Sequence, residues 1–360
     1  MILKKLISAF LMLSMAVAAS AQFRDGASYE DLYDGETISV LKSHVRELSA
    51  AHLEGRKAGS EGERIAAEYV TRVLKEYGVD LLSPAGGDIF GIKTAEGDTL
   101  TSRNVVGYVQ GYDNTLRDRY IVVGARLDNK GTMTMTVDGQ PVEKIFYGAN
   151  GNASGLSIML ELARMVQTNA MMFRRSVLFV AFGASMETYA GSWYFLNRSF
   201  KDAASIDAMI NLDMLGTGYN GFYAYTASNA DLNALIRTQT GELQPVLPEL
   251  ISDDLNALLR TLTGELQPIL PEITAAEIYP SDHRAFYDKE IPAIHLTTGR
   301  YHEHNTERDT QSILDYENME RELEYIYNFT LALAGDDKGF AYRESDSPVK
   351  SKEADGIVAY

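Results

Sequence analysis

The chain has no cysteine, so no disulfide framework can brace it and no lipid can be attached through a cysteine after a leader. It also lacks a second long apolar run: past the first 21 residues, nothing approaches the roughly 20 apolar residues that a membrane-spanning helix needs. Positive charge is scarce, with 33 Lys and Arg against 50 Asp and Glu, a formal net charge of −17. A surface of that sign repels nucleic acid and anionic lipid, so neither is expected as a partner.

What is present begins with a leader. Lys4 and Lys5 precede an apolar stretch from Leu6 to Ala18, and Ala19-Ser20-Ala21 forms a small-residue cleavage pattern before Gln22. This is the layout of a secretory signal peptide spanning residues 1–21, and it predicts a secreted, periplasmic protein. Loss of the two lysines takes the charge from −17 to −19. With 45% apolar residues, the remainder is long enough for one large core without covalent staples.

Strand and helix patterns alternate along residues 22–334. Ser60-Glu61-Gly62-Glu63 is a capping box ahead of an apolar stripe of helical spacing that stops at Gly78. Strands are expected at Asn104–Val109, Tyr120–Gly124, Ser176–Phe182, Ala208–Leu212 and Pro292–Thr297. Helices are expected near Ala153–Val166, Ala190–Asn197 and Glu317–Leu333, with the aromatic residues Trp193, Tyr194 and Phe195 in the core. This order predicts an α/β three-layer sandwich around a central, largely parallel mixed sheet.

One segment is duplicated. Leu232–Leu250 recurs at Leu255–Ile273 with four mismatches, inside a tandem unit at about 231–276. Two copies are too few for a solenoid, so the second copy is expected to add a helix and loop at the edge of the sandwich. Residues 335–360 are polar and read as a mobile tail.

Seven motifs then fall in a recognisable order: EGRKAGS from Glu54, VVGARLDN from Val122, GANGNASG from Gly148, FGASMETYAGS from Phe182, NLDMLG from Asn211, SDHRAF from Ser281 and HNTERDT from His304. Together they resemble metallopeptidase family twenty-eight, the di-zinc aminopeptidases that include bacterial leucyl aminopeptidases and the glutamate carboxypeptidases. In that family two histidines, a bridging aspartate, a glutamate and a second aspartate hold two zinc ions, and a further glutamate is the general base.

Placed on those motifs, this sequence departs at most of the required positions. The first histidine is Arg126, although the aspartate that orients it remains as Asp128. The bridging aspartate is Gly151, preceded by Asn150. Ser185 stands for the base, Met186 for the ligand glutamate and Asn305 for the last histidine; Asp213 alone is retained. A guanidinium is permanently charged, and a thioether is too soft for zinc. Substitutes are conceivable: Glu187 would face the same way as Ser185 if its strand continued, and His302 and His304 flank the last ligand position. Asp282 and His283 are expected as a structural pair in the cleft wall, and His44 and His52 as surface or packing residues.

The acids and imidazoles are lost together, so Arg126 is expected to pair with Asp213 or Asp128 in the former metal position. The resemblance therefore implies a non-catalytic peptide- or protein-binding module with no cofactor. The alternative is a metallo-aminopeptidase whose shifted or single zinc site uses Glu187, Asp213 and His304. In a third reading, the duplicated segment is the working surface.

Overall fold

The computed structural model describes residues 35–84, 86–93, 97, 99–137, 139–242, 269–340, 342 and 358–359. The leader and most of the duplicated segment lie outside the described residues. Helices α1 (Glu36–Leu48) and α2 (Glu61–Glu76) come first. Strands β1 (Asp80–Leu81), β2 (Asp88–Lys93), β3 (Thr99–Val109) and β4 (Tyr120–Arg126) follow, then a hairpin of β5 (Gly131–Val137) and β6 (Gln140–Phe146). After α3 (Ser154–Thr168) come β7 (Ser176–Phe182), α4 (Ala190–Tyr194) and β8 (Ile206–Leu212). The chain continues through β9 (Tyr223–Tyr225), α5 (Ala230–Glu242), β10 (Glu272–Thr274), α6 (His283–Tyr287) and β11 (Ala293–Thr297). Helix α7 (Tyr316–Gly335) and β12 (Val358–Ala359) complete it.

The main sheet runs β10-β9-β11-β8-β4-β7-β3-β2-β12, with β1 beside β3. Its centre, β11-β8-β4-β7, is parallel, and antiparallel pairs flank it. Strands buried on both faces explain the near-continuous apolar runs in β4, β7 and β8. Side chains alternate between two cores. Ile121, Val123 and Ala125 join Val177, Phe179 and Ala181 beneath α1, α3 and α7, while Val122 joins Leu178, Val180, Phe182 and Met209 on the opposite face with Phe195 and Phe286. Gly124 belongs to the second face, where a Cβ would lie 2.4 Å from the Phe182 ring, so only glycine lets that ring close against β4.

The capping box forms with one change. Ser60 Oγ accepts from Glu63 N at 3.2 Å, while the Glu63 carboxylate takes Gly59 N at 2.8 Å, one residue ahead of the cap itself. Helix α4 stops at Tyr194 and passes into a wider turn over Phe195–Ser199; Phe195 is buried, yet Trp193 is 38% exposed rather than in the core. In the expected tail, Arg174 and Arg175 hold Gly335, Asp336 and Asp337 against the domain, and Val358–Ala359 pairs antiparallel with β2. No helix among the described residues is long and apolar enough to cross a membrane.

Candidate functional site: a guanidinium at the carboxyl ends of the parallel strands

Period-two alternation puts Arg126 at the end of β4 on the same face as Asp213, the residue after β8, because Ala125 pairs with Leu212 in register. Both lie at the carboxyl ends of parallel strands, where open α/β sheets form their ligand crevices. They meet there: Arg126 Nη2 donates to Asp213 Oδ1 at 3.2 Å. Nη1 donates to Met186 Sδ at 2.9 Å. Nη2 also lies 3.5 Å from the point where a Cβ on Gly151 would sit. One guanidinium thus touches three further positions at which the resemblance places metal ligands: Asp213, Met186 and Gly151. Burial opposes the charge on Arg126, but Asp213 and Asp128 more than offset it and hold the group above its ordinary value.

The remaining carboxyls of this region look away from the guanidinium. Asp128 does not hydrogen-bond Arg126; its oxygens accept the backbone N–H groups of Ser185 (2.7 Å) and Met186 (3.1 Å). Burial, reinforced by Glu63, pushes Asp128 up to about 7. Glu63 is itself pushed up to about 7 by burial. Ser185 Oγ donates to Asp282 Oδ2 at 2.6 Å, and burial pushes Asp282 up to about 7. With its proton on a carboxylate and no imidazole beside it, Ser185 is not arranged as a nucleophile. His283, expected to pair with Asp282, instead meets Glu277 Oε1 at 2.7 Å and stacks on His295.

Several other residues expected from the sequence are fasteners. Asn150 Oδ1 accepts from Gly216 N at 2.7 Å and Ser154 Oγ at 3.0 Å, tying the loop before α3 to the loop after β8. Asn305 is exposed, at φ +57°. His302 is also exposed, its Nε2 3.3 Å from Arg308 Nη2. His304 does line the cleft, stacked on Tyr301. Burial first, then Arg126, lowers its ring. The expectation for Glu187 fails because β7 ends at Phe182 and residues 185–189 form a turn, with Ala184 at φ +50°; the alternation that would have carried Glu187 inward is broken. His44 is buried between the hydroxyls of Tyr69 and Tyr77, whereas His52 lies at the surface near Glu47.

Two residues not singled out from the sequence organise the floor. Asp309, buried within the HNTERDT motif, accepts from Asn150 N (2.7 Å), Gly151 N (3.1 Å) and Tyr301 Oη (2.7 Å). Only its place in that motif could have drawn attention to it. Tyr279 closes another side, donating to Asp213 O at 2.8 Å. The resulting cleft, about 310 Å3, is lined by Arg126, Ser185, Met186, Tyr189, Asp213, Tyr279, Ser281 and His304.

These residues do not fit a zinc pair. Asp213 is engaged at both oxygens, by Arg126 and by Ser281 Oγ at 2.8 Å, and the guanidinium fills the centre of the set. Among the described residues no group of three or more His, Cys, Asp or Glu is gathered to hold a metal ion.

Residues 104–330 match the model of peptidase family M28. The chain is 29% identical to Aminopeptidase YwaD of Bacillus subtilis (strain 168) over 140 residues, 37% of this chain and 30% of that protein, so the match spans less than a third of that relative. Its fold is similar to BSAP, a zinc aminopeptidase from Bacillus subtilis, with a TM-score of 0.58 at 14% identity, covering 86% of this chain and 98% of that one. It is similar also to Porphyromonas gingivalis glutaminyl cyclase, with a TM-score of 0.61 at 18% identity over 81% of this chain and 96% of that one. The family match takes in more than half of the chain, from β3 to within α7, and the chain therefore belongs to peptidase family M28.

Proposed function

We propose that this protein is a secreted, periplasmic binding module built on the aminopeptidase fold, which recognises a peptide or protein without cleaving it. The observation that carries the reading is the Arg126 guanidinium, seated against Asp213 and Met186 in space that Gly151 leaves open. A fixed cation there competes with any metal for Asp213. Activation of water also needs a base within hydrogen-bond reach, and the residue at that position is Ser185, whose hydroxyl is committed to Asp282. Under this reading residues 22–334 are one domain that needs no cofactor.

The test is metal analysis of protein purified in the presence of zinc, together with a panel of aminoacyl-anilides. Substoichiometric zinc and no turnover are expected. Stoichiometric zinc, with turnover abolished by Asp213→Ala, would overturn the proposal in favour of the single-metal enzyme. Secretion is tested separately, by sequencing the amino terminus of protein recovered from the periplasm, which should begin near Gln22.

A further inference from the structure

The binding reading leaves the ligand open, and the hydrogen-bond polarity of the cleft narrows it. A guanidinium presents five N–H donors in a planar fork. On Arg126, which is only 9% exposed, Nη2 has the Asp213 carboxylate, Nη1 has a thioether sulfur, and Nε has no partner. A thioether is a weak acceptor, and a buried donor left unmet costs more than one in water. The cation at the base of the cleft is therefore short of acceptors.

The hydroxyls around it are oriented the opposite way. Ser185 donates to Asp282, Ser281 to Asp213 Oδ2, and Tyr279 to Asp213 O. Each hydroxyl has one proton, so what these groups can still offer a ligand is oxygen lone pairs. The cleft asks for an anionic acceptor facing Arg126 and for N–H donors facing the walls.

An inorganic anion satisfies only the first demand. A free amine would face the guanidinium and be repelled. The terminal carboxylate of a peptide, with its adjoining amide N–H, meets both, and its two oxygens match the planar fork. The surrounding charge agrees in sign: Arg126, Arg300 and Lys130 all act on the His304 ring as positive neighbours, in a chain that carries −17 overall. Such a local reversal draws anions to that wall. The cleft, about 310 Å3, is at the small end for ligand sites and admits a chain end.

We infer that the cleft captures the free carboxyl terminus of a peptide, with Arg126 clasping the carboxylate once Met186 swings aside. Met186 is 39% exposed and unbranched, so moving it demands no rearrangement of the core.

The experiment is calorimetric titration of the mature protein with N-acetyl-Ala-Ala, its carboxyl-terminal amide, Ala-Ala amide with a free amine, and sodium acetate. N-acetyl-Ala-Ala should bind at least about tenfold more tightly than each of the other three, and rising salt should weaken it. Arg126→Lys keeps the charge but loses the fork, and should weaken binding about tenfold or more. Because that position is buried, Met186→Glu provides a second route: a carboxylate placed at the exposed rim should occupy Arg126 and abolish binding while the urea midpoint stays near wild type. Equal affinity for acid and amide, or preference for the free amine, overturns this inference and leaves the binding reading standing. Acetate binding as tightly as the peptide overturns the role of the hydroxyl walls. Cleavage of the peptides sinks the non-catalytic reading itself, and no binding of any probe overturns both.

Discussion

The same three strands, β4, β7 and β8, carry an arginine-aspartate cluster at each end, and the two clusters are built differently. At the amino-terminal end, Asp207 receives Arg119 Nε at 3.0 Å on one oxygen and Arg175 Nε at 2.5 Å on the other. The same arginines also donate to the carbonyls of Ala204, Ala334 and Asp336, joining the sheet to the end of α7. Every oxygen of that carboxylate is met by a charged donor. At the carboxyl end, Arg126 has one carboxylate, one sulfur and an unmet Nε, and it faces a cleft. Saturation marks a fastener and deficiency marks a place prepared for something else, so like residues at two ends of one sheet have different work.

The largest effect should come from breaking the saturated end. Asp207→Ala leaves Arg175 buried without its partner and should cost about 3–5 kcal/mol in urea unfolding. At the cleft, Arg126→Met alone strands Asp213 and should cost about 3 kcal/mol, whereas Arg126→Met with Asp213→Asn should recover most of that loss. If the cleft pair were only a fastener, the double variant would keep its peptide binding; we expect binding to be lost while stability returns.

The pH profile separates the ends further. Asp128 and Asp282 are each pushed by burial to about 7, well above their unfolded value, so the native state holds extra protons between roughly pH 4 and 7. The stability these groups contribute is fully present below the unfolded value and is lost as pH rises through about 7. Urea unfolding at pH 5, 6, 7 and 8 should show that decline, on the order of 2 kcal/mol per group, and Asp128→Asn should flatten it. The Asp207 cluster should contribute nothing to the slope. The smallest effect belongs to Met186→Leu, an exposed change expected to move stability by less than about 0.5 kcal/mol.

Much of this was legible in the sequence. The strand at Ser176–Phe182 is as expected because a run buried on both faces leaves no competing pattern. The pairing of Arg126 with Asp213 followed from charge, although Asp128 could not be set aside until its backbone donors were seen. Glu187 was misplaced because a left-handed residue at Ala184 ends the alternation, and nothing in the letters announces a positive φ at alanine. The β5 and β6 hairpin was missed because its Thr, Met and charged residues give no apolar face against the main core. Asp309 escaped notice because its role is to hold backbone N–H groups, which leave no signature in side-chain types.

Gly151 and Arg126 also constrain what this chain can become. An aspartate at 151 would bring its first carbon within 3.2–3.5 Å of Tyr301, Asp309 and the guanidinium, while a shorter side chain at 126 would strand Asp213. Neither position can be restored first without damage, so recovery of a metal centre by single steps runs uphill from both directions. The pair acts as a ratchet: catalysis can return only by a concerted change, and selection on this protein is confined to whatever the present cleft can hold.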